Sequence, residues 1–182
     1  MLFPGGRLPL RIFEQRYMDM AKACLRDGLP FGVCLIREGR EVGEPAVPYD
    51  VGTLARISTW DMPQLGVLHV VALGEKRFRI RNRRVERDGL ARATVELIDE
   101  GADAPVEARH AHCARLVERL AGQHPGLFEP PHRLDSSHWV AARLAEVLPL
   151  VPGAKQALLE LDDARERLER ISAALAGARE AP

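Results

Sequence analysis

From Phe13 the apolar residues Phe13, Tyr17, Met20, Ala21, Cys24 and Leu25 recur at i, i+4, i+7, i+8, i+11 and i+12, a spacing that predicts an amphipathic helix. Gly28 is placed to end it in the left-handed conformation. Glu14, Arg16, Asp19, Lys22 and Arg26 take the remaining surface, so Phe13 and Tyr17 are expected as core anchors, where large aromatic side chains bury most area. Pro9 lacks an amide proton and biases Leu8 toward an extended conformation. Leu8 to Leu10 should therefore finish a strand or connector rather than begin the helix.

After this helix the period shortens from helical to strand-like. Phe31 to Ile36 is a short apolar run bounded by Pro30 and Gly39, and Thr53 to Thr59 follows a loop containing Pro and Gly, so both read as strands. Val67 to Leu73 is nearly all apolar and suits a strand buried on both faces, whereas Arg77 to Arg83 alternates charge with Phe78, Ile80 and Asn82. Gly74 and Glu75 are expected to turn the chain between those two strands. Val85 to Arg87 and Leu90 to Leu97 flank Asp88-Gly89, the dipeptide of a two-residue hairpin turn.

Beyond Gly101 strands give way to helices. Pro105 suits the first turn of a helix reaching about Ala121, with Val106, Cys113, Leu116, Val117 and Leu120 on one side and Gly122 as its stop. Asp135 or Ser136 can cap a second helix carrying Val140, Leu144, Val147 and Leu148, which Pro149 and Pro152 end. A last helical region starts near Ala154 and carries Leu161, Ala164, Leu168, Ile171 and Leu175, with Asp163 and Glu166 spaced as a capping box where the helix restarts or kinks. The division expected is residues 1–101 as a strand-rich domain and 102–182 as a helical subdomain.

Composition narrows the classes. With 182 residues and 46% hydrophobic content the chain can build an ordinary core, and its 26 basic and 26 acidic side chains cancel, leaving no global field for nucleic acid or membrane. No stretch approaches the roughly 18 consecutive apolar residues of a spanning helix, and no signal-peptide pattern opens the chain, so the cytoplasm is expected. Cys24, Cys34 and Cys113 are odd in number and share no close pair, which fits reduced thiols better than a disulfide framework.

Phe3-Pro4-Gly5-Gly6, then Leu8-Pro9-Leu10, Ile12-Phe13-Glu14 and Arg16-Tyr17, resemble the opening of the Lon N-terminal domain family. Val51-Gly52-Thr53-Leu54-Ala55, and Gly74 with Arg77-Phe78, resemble its two later signatures. Further on, Arg143-Leu144, Leu148-Pro149-Leu150 and Gln156-Ala157-Leu158-Leu159-Glu160 are similar to the helical extension of that family. The resemblance implies an α+β fold: a small β-barrel of the pseudouridine-synthase-and-archaeosine-transglycosylase (PUA-like) type with one inserted helix, followed by a helical subdomain. It also implies selection of unfolded or degron-bearing polypeptides, with Pro9, Phe13, Glu14, Arg16, Tyr17, Gly52, Gly74 and Phe78 as mainly structural motif residues. Family members usually carry another strand before Leu-Phe-Pro-Gly, whereas this sequence begins at Met1-Leu2-Phe3. If that strand is missing, a neighbour keeps unpaired backbone groups, which favours dimerisation or peptide addition.

Signatures of catalysis are missing from the sequence. Lon proteases need an ATPase module and a serine-lysine dyad, but Gly74-Glu75-Lys76 and Gly153-Ala154-Lys155 lack the second glycine and the hydroxyl of a phosphate loop. The four serines, Ser58, Ser136, Ser137 and Ser172, sit in no G-x-S-x-G elbow. His110, His112 and Cys113, with His132 and His138, form the one cluster that suggests a metal, yet their spacing fits solvated histidines better, so neither metal nor cofactor is expected.

Two surfaces remain as candidates. Trp60, Met62 and Leu65 surround Pro63 in an expected loop, where exposed apolar side chains could hold an unfolded segment by nondirectional burial. Arg77, Arg79, Arg81 and Arg83 would project from one strand face as a basic stripe able to track phosphates, which makes an RNA-binding barrel the alternative. The 5% aromatic content leaves little for base stacking. The leading expectation is a non-catalytic polypeptide-binding module, an adaptor or quality-control factor that meets a separate ATPase or protease; a small hydrolase with an unrecognised site is the third reading.

Overall fold

A computed structural model describes residues 1–40 and 46–180. Residues 41–45 belong to the loop expected before Val51 and lie outside the described residues. The chain divides into two compact units, Met1–Ile98 and Asp99–Pro182.

The amino-terminal unit carries β1 (Arg7–Ile12), α1 (Gln15–Asp27), β2 (Phe31–Val33), β3 (Ile36–Glu38), β4 (Val47–Pro48), β5 (Val51–Gln64), β6 (Val67–Val85) and β7 (Ala91–Leu97). Every pairing is antiparallel. β6 is the spine: β5 runs along one edge, while β1 pairs with Leu68–Leu73 and β7 with Phe78–Val85 on the other. Pro9 is tolerated because β1 pairs with β6 alone and so forms an edge of the sheet.

The expected turn at Gly74 and Glu75 does not occur, and Val67 to Val85 is one strand. Between β1 and β7 the edge of β6 is occupied by the chain's first residues, since Gly5 N–H donates to Gly74 O at 2.8 Å and Gly74 N–H donates to Gly6 O at 2.9 Å. Gly74 thus admits a crossing backbone; it does not reverse the strand. A register shift against β5 between Thr53 and Ala55 lets β6 bend there.

Among the described residues the pairings make a five-stranded open path and a separate β3–β4 pair, not a closed ring. The closure of the expected barrel is not found among these pairings, and β2, three residues long, pairs with β5 alone.

One side of the bent sheet and α1 bury Ile12, Met18, Ala21, Leu68 and Val70, with Leu10, Tyr17 and Ile57 packed around them. A second cluster joins Leu2, Ala55 and Ala72 to Leu8, Phe31 and Val33. Phe13 is not a core anchor, being 57% exposed. It follows the buried Ile12 at the end of β1, so strand alternation turns it outward before the helix starts at Gln15. Gly28 ends α1 with φ of 65°, as its position implies.

Arg16 takes a buried place that helical apolar spacing assigns to nobody. Its guanidinium lies 2.7 Å from Glu14, donates to Gly89 O at 3.0 Å and stacks 4.7 Å from the Tyr17 ring centroid. Buried charge costs free energy unless paired and hydrogen-bonded, and this set meets both needs while tying α1 to the β6–β7 hairpin. That hairpin closes with a three-residue loop, not the expected two: Glu86 N–H donates to Leu90 O and Gly89 N–H to Glu86 O, both at 2.9 Å.

The carboxy-terminal unit contains α2 (Ala111–Gln123), α3 (Ser137–Val147), α4 (Pro152–Glu160) and α5 (Ala164–Glu180). Pro105 does not open a helix; it bridges to Ser136, and Val106 N–H donates to Asp135 O at 2.9 Å, which holds the segment extended. A short 3₁₀ turn, Ala108–His110, leads into α2 instead. Asp163 restarts the last helix as expected, accepting from Arg165 N–H at 2.7 Å. Among the described residues no helix is long and apolar enough to cross a membrane.

Ser136 caps α3, its hydroxyl accepting from Trp139 N–H at 3.0 Å. Ser136→Ala is expected to cost this unit about 1 kcal/mol, read from urea unfolding followed by Trp139 fluorescence in a Trp60→Phe background.

Candidate functional site

Trp60 and Met62 lie on a strand, not in the expected loop, and only Leu65 sits in the turn, beside Gly66. β5 continues to Gln64, which pairs with Val67, so the three residues ride on a β5–β6 hairpin. Trp60 is 59% exposed, Met62 39% and Leu65 93%. Pro63 hid the end of this strand, because Pro interrupts most ladders; a register shift between Asp61 and Gln64 accommodates it.

Below the hairpin, three strands carry rows of facing residues. Pro9, Val71 and Thr59 form one row across β1, β6 and β5, and Arg11, His69 and Asp61 form the next. Residues paired across neighbouring strands point to the same face, so these rows line a common surface. There a shallow groove of about 550 Å³ is lined by these six residues together with Leu10, Val70 and Trp60 of the row between them. Its walls are mostly apolar, with one basic and one acidic side chain at opposite edges of the second row. Such a surface suits an extended chain segment better than a small polar substrate. Sequence reasoning missed His69 and Arg11 because a site shared by three strands needs their register, which periodicity does not supply.

The arginine stripe is dispersed. Arg77 is fully buried, Arg79 and Arg83 are half-buried, and Arg81 is exposed and paired with Glu96. Arg83 donates to Ala46 O at 2.8 Å. A register shift against β7 between Ile80 and Asn82 breaks the strict alternation that a stripe requires, and Arg77, next to the shift against β5 between Thr53 and Ala55, is buried. A phosphate-tracking face at Arg77, Arg79, Arg81 and Arg83 therefore has no structural support.

Glycine and aromatic motif residues act on packing. A Cβ at Gly52 would come within 2.6 Å of Cys34 Sγ and Val33 O and 2.8 Å of Phe78 Cζ, so Gly52 makes room for the buried Phe78 ring.

The histidines are not all solvated. His110 is buried with Nε2 2.9 Å from Glu169, and His112 Nδ1 lies 3.1 Å from Arg109 O. Among the described residues no three His, Cys, Asp or Glu side chains converge to hold a metal ion. All three cysteines are free, and burial pushes the Cys34 and Cys113 thiols up to about 11, leaving them protonated and weakly nucleophilic near neutral pH. Ser58 donates to Val71 O at 2.9 Å and Ser137 to Pro105 O at 3.0 Å, so both hydroxyls serve the backbone.

The family described as the ATP-dependent protease La (LON) substrate-binding domain matches residues 1–177. The chain belongs to this family. Lon protease of Paraburkholderia phytofirmans is 30% identical over 190 residues, covering 97% of this chain and 23% of its own length. Lon protease of Methylocella silvestris is 27% identical over 183 residues, covering 97% and 22%. The chain thus spans less than a quarter of the length of these Lon proteases. A solved Lon N-terminal domain protein from Xanthomonas campestris superposes with a TM-score of 0.78 and 37% identity, over 95% of this chain and 92% of that one. The N-terminal domain of Mycobacterium avium complex Lon protease shares the fold at a TM-score of 0.66.

Proposed function

We propose that the chain is a polypeptide-binding module that grips unfolded or degron-bearing segments with its β5–β6 hairpin and the adjoining groove, and that has no catalysis of its own. Membership of a substrate-binding family supports this reading. The observation that carries it is the apolar hairpin: Trp60, Met62 and Leu65 stay exposed although the unit has a core in which such side chains could be buried. Nondirectional burial and an adaptable Met favour tolerance of many client sequences. In this reading the module delivers clients as an adaptor or quality-control factor to a separate ATPase or protease. Three free thiols suit a reducing, cytoplasmic setting.

The test is fluorescence anisotropy with a labelled, reduced and carboxymethylated polypeptide. Trp60→Ser combined with Leu65→Ser is expected to weaken binding about tenfold, with an unchanged melting temperature because neither side chain is buried. Affinity should vary little with salt. Equal affinity of the double variant and the parent, or a steep salt dependence, would remove the hairpin as the contact surface.

A further inference from the structure

The carboxy-terminal unit carries a second groove, of about 540 Å³, between α2 and α5. His112, Arg115, Leu116 and Arg119 share one face of α2 at i, i+3, i+4 and i+7, and Ser172 and Leu175 face them from α5. Three features of this groove go together.

First, its polar wall is oriented. The carbonyl of Arg109 can only accept, so the 3.1 Å contact places a proton on His112 Nδ1, while Nε2 lies 3.2 Å from Ser172 Oγ and 3.4 Å from Cys113 Sγ. Second, its two guanidiniums are uncompensated. Arg109, Arg133, Arg165 and Arg170 of the same unit each reach a carboxylate, whereas Arg115 and Arg119 reach none among the described residues. Two acids of α5 are engaged with other partners: Glu169 with His110 and Arg109, and Glu166 with Arg170. Like charges at i, i+4 repel, and the exposed Glu118 of the same helix makes no ion pair with either arginine. Third, Leu116 and Leu175 add an apolar wall beside the charges.

We propose that this groove is a binding site for a phosphate-bearing ligand. Arg115 and Arg119 stand one helical turn apart and take the phosphate oxygens as charge-assisted donors. The Ser172 hydroxyl turns from His112 Nε2 to donate a further hydrogen bond, and the leucines cover the organic part of an ester. This site is independent of the polypeptide surface on the amino-terminal unit.

Isothermal titration of the full chain with inorganic phosphate and with phenyl phosphate, in low-chloride buffer at constant ionic strength, tests the assignment. Saturable binding of either probe is expected; tighter binding of phenyl phosphate identifies an ester as the ligand class, and equal binding identifies free phosphate. Arg115→Gln with Arg119→Gln should weaken binding about tenfold or more, and Ser172→Ala about threefold. Arg133→Gln, which lies outside the groove, should leave it unchanged. Melting temperatures establish that each variant is folded. Binding that does not saturate, binding undiminished in the double arginine variant, or displacement by chloride at equal concentration would overturn the proposal.

Discussion

Gly74→Ala is expected to cost the amino-terminal unit about 3–5 kcal/mol, far more than one added methyl usually does. A Cβ at this position would collide with the carbonyl oxygen of Phe3 and come within 3.1 Å of its carbonyl carbon. Those are backbone atoms of a segment that cannot withdraw. Gly5 and Gly6 are hydrogen-bonded to Gly74 itself, Thr53 Oγ1 donates to Leu2 O at 2.8 Å, and the Leu2 and Phe3 side chains are buried. Relief of the clash therefore has to break the packing of the chain's first residues. Gly66→Ala is the comparison: nothing lies within 4 Å of its Cβ, and the cost arises only from its φ of 83°. Urea unfolding followed by circular dichroism should rank Gly74→Ala well below Gly66→Ala. Equal midpoints would refute the close approach.

Arg167→Met is expected to destabilise the carboxy-terminal unit by about 2–4 kcal/mol. α4 ends at Glu160, so the carbonyls of its last turn have no helical N–H to receive. The buried guanidinium of Arg167, from the following helix, donates through Nε to Leu158 O at 2.9 Å and through Nη2 to Leu161 O. Methionine keeps much of the apolar volume but removes both of these hydrogen bonds. Arg167→Lys should recover only part of the loss, because an ammonium lacks the planar fork that serves two carbonyls at once. Trp139 fluorescence in urea, again in the Trp60→Phe background, measures both variants. If Arg167→Met were as stable as the parent, the cost of burying the charge would equal what its hydrogen bonds return.

The readable parts of this fold are those set by neighbours in sequence. Gly28 as a helix end, Ser136 as a cap and Asp163 as a restart each act within four residues, and each stands where its chemistry placed it. Long-range effects were hidden. Gly74 looked like a turn because the crossing segment, Phe3 to Gly6, lies about 70 residues away in sequence. Phe13 looked like part of a helical stripe, yet one residue of strand preceding the helix changed which period applied to it. Arg77 to Arg83 kept a perfect alternation on paper, but a register shift at Ile80 and Asn82, which depends on the partner strand β7, interrupts it. The apolar character of the hairpin residues was legible, and the place of Trp60 and Met62 on a strand was not, since Pro63 concealed the ladder. His69, inside an apolar run, gained meaning only beside Arg11 and Asp61.

The 19 residues of β6 hold three of the other four strands of their sheet, leaving β2 attached through β5. Cutting the backbone within this stretch would divide the ladder that unites the earliest and latest segments of the unit. The hairpin bearing Trp60 thus ends the same beam whose Leu68 and Val70 pack on Met18, and force applied to it would be transmitted straight into the core.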